Sequence, residues 1–169
     1  LMFAIANTES GFDPNAQATT SSATGLFQFT SGTWSSMVNQ YGSQTQITSS
    51  DITDPQANAT MGALFTQQNA QYLENNGIEN PNPTQLYLAH FMGASAATNF
   101  LKADPNVSAA SVVGPAAANA NPTIFYNADG SPKTVQEVYN NFDAKISPQV
   151  QKYDQCFASN NSTGNSSPT

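Results

Sequence analysis

Leu1-Met2-Phe3-Ala4-Ile5-Ala6-Asn7-Thr8-Glu9-Ser10-Gly11-Phe12-Asp13-Pro14 is the stretch that sets the reading of this chain. Six apolar residues run into polar ones, and Gly11 and Pro14 then stop the run. An apolar run without strand-like alternation, closed by Gly and Pro, predicts a buried helix over Leu1–Ser10. The run enters a helix midway, so the expectation is a domain cut from a longer protein. It is also too short for a membrane span of ~20 residues or for a signal-peptide core.

The same punctuation recurs along the chain. Asp13 to Gly25 reads as an ordered loop. Ser31-Gly32-Thr33-Trp34 opens a helix that Gly42 closes, and Thr45 to Thr53 is polar and turn-like. Asp54-Pro55 starts a long helix with Asp54 as cap and Pro55 at its first position. Met61, Leu64, Phe65, Tyr72 and Leu73 share one face of it, and Gly77 stops it. Asn82-Pro83 begins the next helix, broken by Gly93, and Ala94 to Ala103 forms another. Val107 to Ala120 holds one or two short helices around Gly114-Pro115. Asn127-Ala128-Asp129-Gly130 is a turn. Thr134, with Glu137 three residues on, caps a helix through Phe142. Pro148 to Phe157 is the last helix. The class is all-α, with seven to nine short helices over 1–158. Residues 159–169 are only Ala-free Ser, Asn, Thr, Gly and Pro, which predicts a disordered tail or linker.

Composition narrows the function. Of 169 residues, 38% are hydrophobic and only 9% charged, so Asn, Gln, Ser and Thr must supply the polar surface. Eleven acids oppose four lysines, and there is no arginine. A net charge of −7 argues against nucleic-acid binding and against an electrostatic grip on an anionic membrane. One Cys and one His exclude a disulfide framework and a zinc site built from Cys and His alone. Cys156 reads as an inert, partly buried thiol.

Most of the acids have structural explanations. Asp13, Asp54 and Asp104 precede prolines, Asp129 sits in an Asp-Gly turn, and Glu137 belongs to a capping box. Asp51, Glu74, Glu79, Asp143 and Asp154 lie in polar surroundings. Glu9 differs, because it ends an otherwise apolar helix. The negative potential at a helix C-terminus disfavours a carboxylate and favours a retained proton, which is what a general acid needs.

Three ordered motifs follow Glu9. Glu9-Ser10-Gly11-Phe12-Asp13-Pro14-Asn15-Ala16 leads to Gly25-Leu26-Phe27-Gln28-Phe29 and Thr33-Trp34. Asp54-Pro55 is followed by Asn58 and Gly62, and then comes Ala89-His90-Phe91-Met92-Gly93. Over roughly Leu1 to Leu101 this resembles the soluble-type lytic transglycosylases, whose lysozyme-like fold is shared with goose-type lysozyme. Phe27 replaces the family's usual Met. The segment Asn121-Pro122-Thr123-Ile124-Phe125-Tyr126, then Gly130 and Thr134 to Tyr139, looks like transglycosylase domains of bacteriophage virion proteins. The Ala-His-Phe-x-Gly form of the third motif points the same way.

The resemblance implies a role for each matching residue. Glu9 is the single catalytic carboxyl group, acid first and base second. Ser10 and Gln28 hold the N-acetyl sugar, and the backbone of Gly25 to Phe27 lines the same subsite. His90 stands where the family has tyrosine, and Phe91 where it has Asn. His90 is read either as a partner of Glu9 or sugar, or as a core histidine satisfied by backbone. A late tyrosine belongs beside the acid, with Tyr126 preferred over Tyr139. No cofactor is implied. The substrate is the peptidoglycan glycan strand, cleaved at the MurNAc–GlcNAc β-1,4 bond to leave 1,6-anhydromuramyl ends.

Ordinary glycosidases need two carboxylates. Here the substrate's N-acetyl group can stabilise charge at C1, and its own C6 hydroxyl can attack, with proximity already provided. The −7 charge cannot steer the domain to an anionic wall, so recognition falls to hydrogen bonds and to aromatic faces such as Trp34, Tyr41, Tyr87 and Phe91, of which Trp34 and Tyr87 read equally as core residues. The expectation is therefore an enzyme carried in a phage virion or larger assembly to the periplasm or cell wall; otherwise it is secreted or periplasmic. The alternatives are a hydrolytic muramidase on the same bond and a weakly active structural or glycan-binding virion module.

Overall fold

The computed structural model describes residues 1–162, with side chains through 158. The elements are α1 (Met2–Ser10), α2 (Ser31–Thr45), a 3-10 turn (Ser49–Thr53), α3 (Pro55–Asn75), α4 (Pro83–Met92) and α5 (Ala94–Lys102). They continue with α6 (Ala109–Val113), α7 (Pro115–Ala120), α8 (Pro122–Phe125) and α9 (Val135–Ser162). Among the described residues, extended pairing is limited to four isolated bridges, including Gln17 with Thr24 and Tyr126 with Pro132. The all-α expectation holds. Of the expected tail over 159–169, the part from 163 on lies outside the described residues.

Two compact units divide the chain. One joins Leu1–Phe65 with the residues from Pro148 onward, and the other is Thr66–Ser147.

In the first unit, Ala4, Ile5 and Ala6 of α1 are consecutive and all buried, as the unbroken apolar run requires. Trp34 and Met37 sit one turn apart on α2 and are buried together. The Phe29 ring packs on Trp34 at 5.5 Å and on Phe65 at 5.7 Å. Each such aromatic contributes about 1.5–3 kcal/mol through burial alone. The Trp34 indole N–H donates to the Ser49 carbonyl at 3.1 Å, so its one polar atom is satisfied inside. Trp34 is therefore core and offers no face to a sugar. Gly42 does not end α2, which runs on to Thr45. A side chain at Gly42 would meet the Ile47 carbonyl at 2.7 Å, so the glycine serves close backbone approach inside the helix. Asp54 caps α3 as expected, its Oδ1 accepting the Ala57 N–H at 2.7 Å. Further along α3, in the second unit, Tyr72, expected on the apolar face, is 41% exposed. Cys156 is exposed rather than partly buried, on a stretch of α9 whose neighbours are exposed too.

Capping signals place the second unit's elements where the sequence puts them. Ile78 N–H returns to the Leu73 carbonyl at 3.0 Å and closes α3. Asn82 and Gln85 form a reciprocal capping box on α4. Tyr87 and Phe91 of α4 pack on Phe142 of α9 at 5.5 and 5.1 Å. Thr84 Oγ1 donates to Asp143 at 2.6 Å and tightens the same contact. Tyr87 is only 1% exposed, so it too is core.

The two expected helices over Thr134–Phe142 and Pro148–Phe157 are one, α9. Val135, Val138, Phe142 and Ile146 are all buried, at spacings of three and four residues. That apolar stripe crosses the expected break, and burying it keeps the helix continuous to Pro148. Ser147 also donates to Asp143 one turn back, at 2.7 Å. The proline lacks an N–H, yet α9 passes through it.

Candidate active site

Glu9 is the penultimate residue of α1 and is half-buried. The helix ends because Gly11 turns left-handed, at φ 60°, letting its N–H return to the Asn7 carbonyl at 3.0 Å. Ser10, the last helical residue, has one hydroxyl proton and two acceptors within reach. Its Oγ lies 2.9 Å from the Ala6 carbonyl and 3.0 Å from the Leu26 carbonyl. The second contact ties the end of the Glu9 helix to the loop that carries Gly25 to Gln28.

That loop is held almost entirely by its own polar groups. Gly25 N–H donates to the Ala16 carbonyl at 2.9 Å, and the Gln28 N–H donates back to the Gly25 carbonyl at 3.1 Å. The Gln28 side-chain nitrogen donates to the Ala16 and Gly25 carbonyls at 3.0 and 2.9 Å. Both its protons are committed, which leaves Oε1 as the only side-chain atom that can meet a sugar. Gln28 itself sits at φ 49°, a left-handed conformation stabilised by these bonds. Neither Gln28 Oε1 nor the Leu26 N–H takes a partner among the described residues.

The Asp54-Pro55 motif explains itself through this loop. Asn58 is fully buried. Its Oδ1 accepts the Phe27 N–H at 2.9 Å, and its Nδ2 donates to the Ile52 carbonyl at 2.7 Å. Gly25 lies so close that a side chain there would collide with Asn58 and with the Ile52 carbonyl at 2.6 Å; its φ of 84° also suits glycine. Phe27 is 2% exposed and packs on Gly62, where an added Cβ would lie 2.8 Å from the ring. The Phe27 side chain is thus a core anchor, and only its backbone belongs to the loop surface. Asn58 and Gly62 stand in the sequence motif without an evident role there. The signal was available: an Asn and a Gly on one helix, three and seven residues after Pro55, suit a buried polar clasp and a close approach.

The other acids of Leu1–Phe65 have fixed partners, while Asp154, in the α9 part of the same unit, is solvent-exposed. Asp13 Oδ1 accepts the Asn15 N–H at 2.9 Å. Asp51 Oδ2 accepts the Thr48 N–H and hydroxyl at 2.7 and 2.8 Å, and these donors hold its carboxyl below the ordinary carboxylate range. Asp54 caps α3. The carboxylate of Glu9, by contrast, accepts no hydrogen bond from any described residue.

The remaining candidates belong to the second unit. His90 lies on α4, half-buried, with its ring stacked on Tyr87 at 6.4 Å and 19°. Phe91 is half-buried against Phe142. Tyr126 follows α8 and lines an open hollow of about 630 Å³ with Asn119, Thr123, Asn127 and Lys133. Tyr139 instead has its hydroxyl 3.0 Å from the Asn82 side-chain nitrogen, a structural partner. The Asp143 carboxyl is held below its ordinary value by the Thr84 hydroxyl and then by Ser147. Asp129 and Glu137 are likewise lowered by their Ser131 and Thr134 donors.

Among the described residues, no helix is long and apolar enough to cross a membrane. Residues 1–111 match the family described as Transglycosylase SLT domain. The match takes in Glu9-Ser10, the Gly25–Gln28 loop, its Asn58–Gly62 clasp and the His90 helix. With 111 of 169 residues matched, the chain belongs to the transglycosylase SLT domain family, the lytic transglycosylases that act on peptidoglycan.

Proposed function

We propose that Glu9 is the only catalytic carboxyl group and that cleavage leaves 1,6-anhydromuramyl ends. The observation that carries this reading is the contrast among the acids of Leu1–Phe65. Asp13, Asp51 and Asp54 each accept a backbone N–H, whereas Glu9 accepts none. Glu9 protonates the glycosidic oxygen and the GlcNAc-side hydroxyl leaves. The MurNAc acetamido oxygen stabilises the positive C1. The Glu9 carboxylate then takes the C6 hydroxyl proton as O6 closes on C1. The acid is regenerated and no water is consumed. Attack by O6 is intramolecular, an advantage that can reach several kcal/mol when geometry is right.

In this reading the Gly25–Gln28 loop binds the acetamido group, with the Leu26 N–H as donor and Gln28 Oε1 as acceptor. Ser10 fixes the loop to the acid's helix. His90, Phe91 and Tyr126 supply further sugar contacts. The domain works in the cell wall or periplasm as part of a phage virion or larger assembly. That placement is supported by the Ala89-His90-Phe91-Met92-Gly93 form and by the −7 charge, which suits mechanical delivery better than diffusion to an anionic wall. Digestion of purified walls in heavy-oxygen water, read by mass spectrometry, tests the chemistry. Unlabelled anhydro ends are expected. Labelled reducing ends as the main product would make the protein a muramidase.

A further inference from the structure

Four aromatic rings of the first unit form one cluster at the surface. Phe3 and Phe157 have centroids 5.3 Å apart, and Phe3 and Tyr153 are 5.8 Å apart. Phe12 meets Tyr153 at 6.0 Å and Phe3 at 6.3 Å, both edge-on. Phe3, Phe157 and Phe12 are 50%, 49% and 40% exposed. Phenylalanine is usually buried, and a contiguous exposed aromatic patch marks a contact site. Backbone geometry adds a second observation. Phe12 sits at φ 66°, a conformation that a bulky residue adopts only under strain. Strain of this kind gathers at ligand sites. It places this ring at the surface three residues after Glu9.

We infer that Phe3, Phe12, Tyr153 and Phe157 form a stacking platform for sugar rings of the glycan strand, beyond the sugars that Glu9 and the Gly25–Gln28 loop engage; this rests on the reading of Glu9 as the catalytic acid. The chemistry selects a glycan. Pyranose rings in a β-1,4 strand present flat C–H faces that are uncharged and suit aromatic faces. A chain of net charge −7 without arginine has little to offer the anionic parts of the wall, and uncharged stacking avoids that repulsion. Lys152 Nζ lies 5.4 Å from the Tyr153 ring centre and adds a cation beside the rings. Tyr153 and Phe157 lie on α9, beyond the family-matched residues 1–111, so the match does not account for that half of the platform.

Co-sedimentation with peptidoglycan sacculi, and binding to peptide-free glycan strands, tests the platform in the full chain carrying Glu9→Gln to prevent turnover. Phe157→Ala and Phe12→Asn are each expected to weaken both interactions about three- to tenfold, with melting temperatures showing that they fold. Asn tolerates the left-handed backbone, so Phe12→Asn removes the ring while relieving the strain. Phe12→Tyr keeps a ring and is expected to keep the affinity. In the active enzyme, Phe157→Ala should raise the half-saturating wall concentration and leave the saturated rate close to wild type. Wild-type affinity in folded Phe157→Ala and Phe12→Asn overturns the platform. So does binding that follows the stem peptides and is lost on peptide-free strands, or that follows another protein. Full activity of Glu9→Gln would overturn the catalytic reading alone, since affinity is measured separately. A wild-type chain that neither binds nor cleaves sacculi would overturn both.

Discussion

Asn58 holds Phe27 by its backbone: the buried side-chain oxygen accepts the Phe27 N–H at 2.9 Å, across 31 residues of chain. The same side chain donates to the Ile52 carbonyl, so one amide fixes two loops. Asn58→Ala leaves a buried donor and a part-buried acceptor unpaired. A fully buried group costs about 1–3 kcal/mol and a part-buried one less, so a total loss of about 2–4 kcal/mol is expected. At roughly 2–4 °C per kcal/mol, the melting temperature should drop by about 5–15 °C, and wall digestion should fall with it. Calorimetry checks this, and a shift below about 2 °C would show that the clasp is dispensable.

Gly62 gives the Phe27 ring its seat. Gly62→Ala puts a methyl group 2.8 Å from the ring carbon and forces a shift. Overpacking of this kind costs about 1–3 kcal/mol. Phe27→Leu removes the clashing ring, so the double variant should be less destabilised than the two single losses added together. Additive losses in a double-mutant cycle would mean that the two residues do not meet as described.

Removal of the transferable proton at Glu9 should cost far more activity than stability. Glu9→Gln is expected to cut wall digestion by about 100- to 10,000-fold, the usual worth of a general acid–base group, with little change in melting temperature. Asp13→Asn and Asp51→Asn should still give anhydro ends. A folded but inactive variant among these two would identify a second catalytic carboxylate.

Acid sensitivity follows from the hydrogen-bonded carboxylates. Asp51, Asp129 and Asp143 are lowered from an ordinary value of 3.8, and Glu137 from 4.5. A carboxylate with a depressed folded pKa contributes stability that is complete above its unfolded value. That stability is lost as pH falls through the folded value. The melting temperature should therefore be flat from neutral pH down to about 5 and decline below about 4. Thr84→Val, which removes the first donor to Asp143, should make the decline shallower. An equally steep decline in that variant would remove Asp143 from the account.

Legibility in the sequence followed the range of the interaction. Caps are local, so Asp54, Asn82, Thr134 with Glu137, and the stops at Gly11, Gly77 and Gly93 could be read directly. Glu9 stood out because an acid at the end of an apolar helix conflicts with local electrostatics. What failed was decided by tertiary packing. Pro148 looked like a boundary, but the stripe through Ile146 carries α9 past it. Gly42 looked like a stop, but the Ile47 carbonyl needs the space. Trp34 and Tyr87 read as core or as sugar faces, and their neighbours settle both as core. The commitment of Gln28's nitrogen to its own loop was likewise invisible, because it depends on where the Ala16 carbonyl lies.

The Asn7 side chain donates to Gln149 at 2.9 Å, although 142 residues separate them. The unit that holds Glu9 is thus assembled from both ends of the described chain, while Thr66–Ser147 is continuous. During synthesis the order of events is fixed by this layout. At 5–20 residues per second, α1 waits roughly 7–30 s for its partner on α9 to be made. Throughout that interval the Glu9 helix lacks its final support, and Thr66–Ser147 has all of its own chain before that support is made. Released chains that stop at Ser147 should accordingly resist protease over Thr66–Ser147 and be cut within Leu1–Phe65, so that the cutting machinery is completed last.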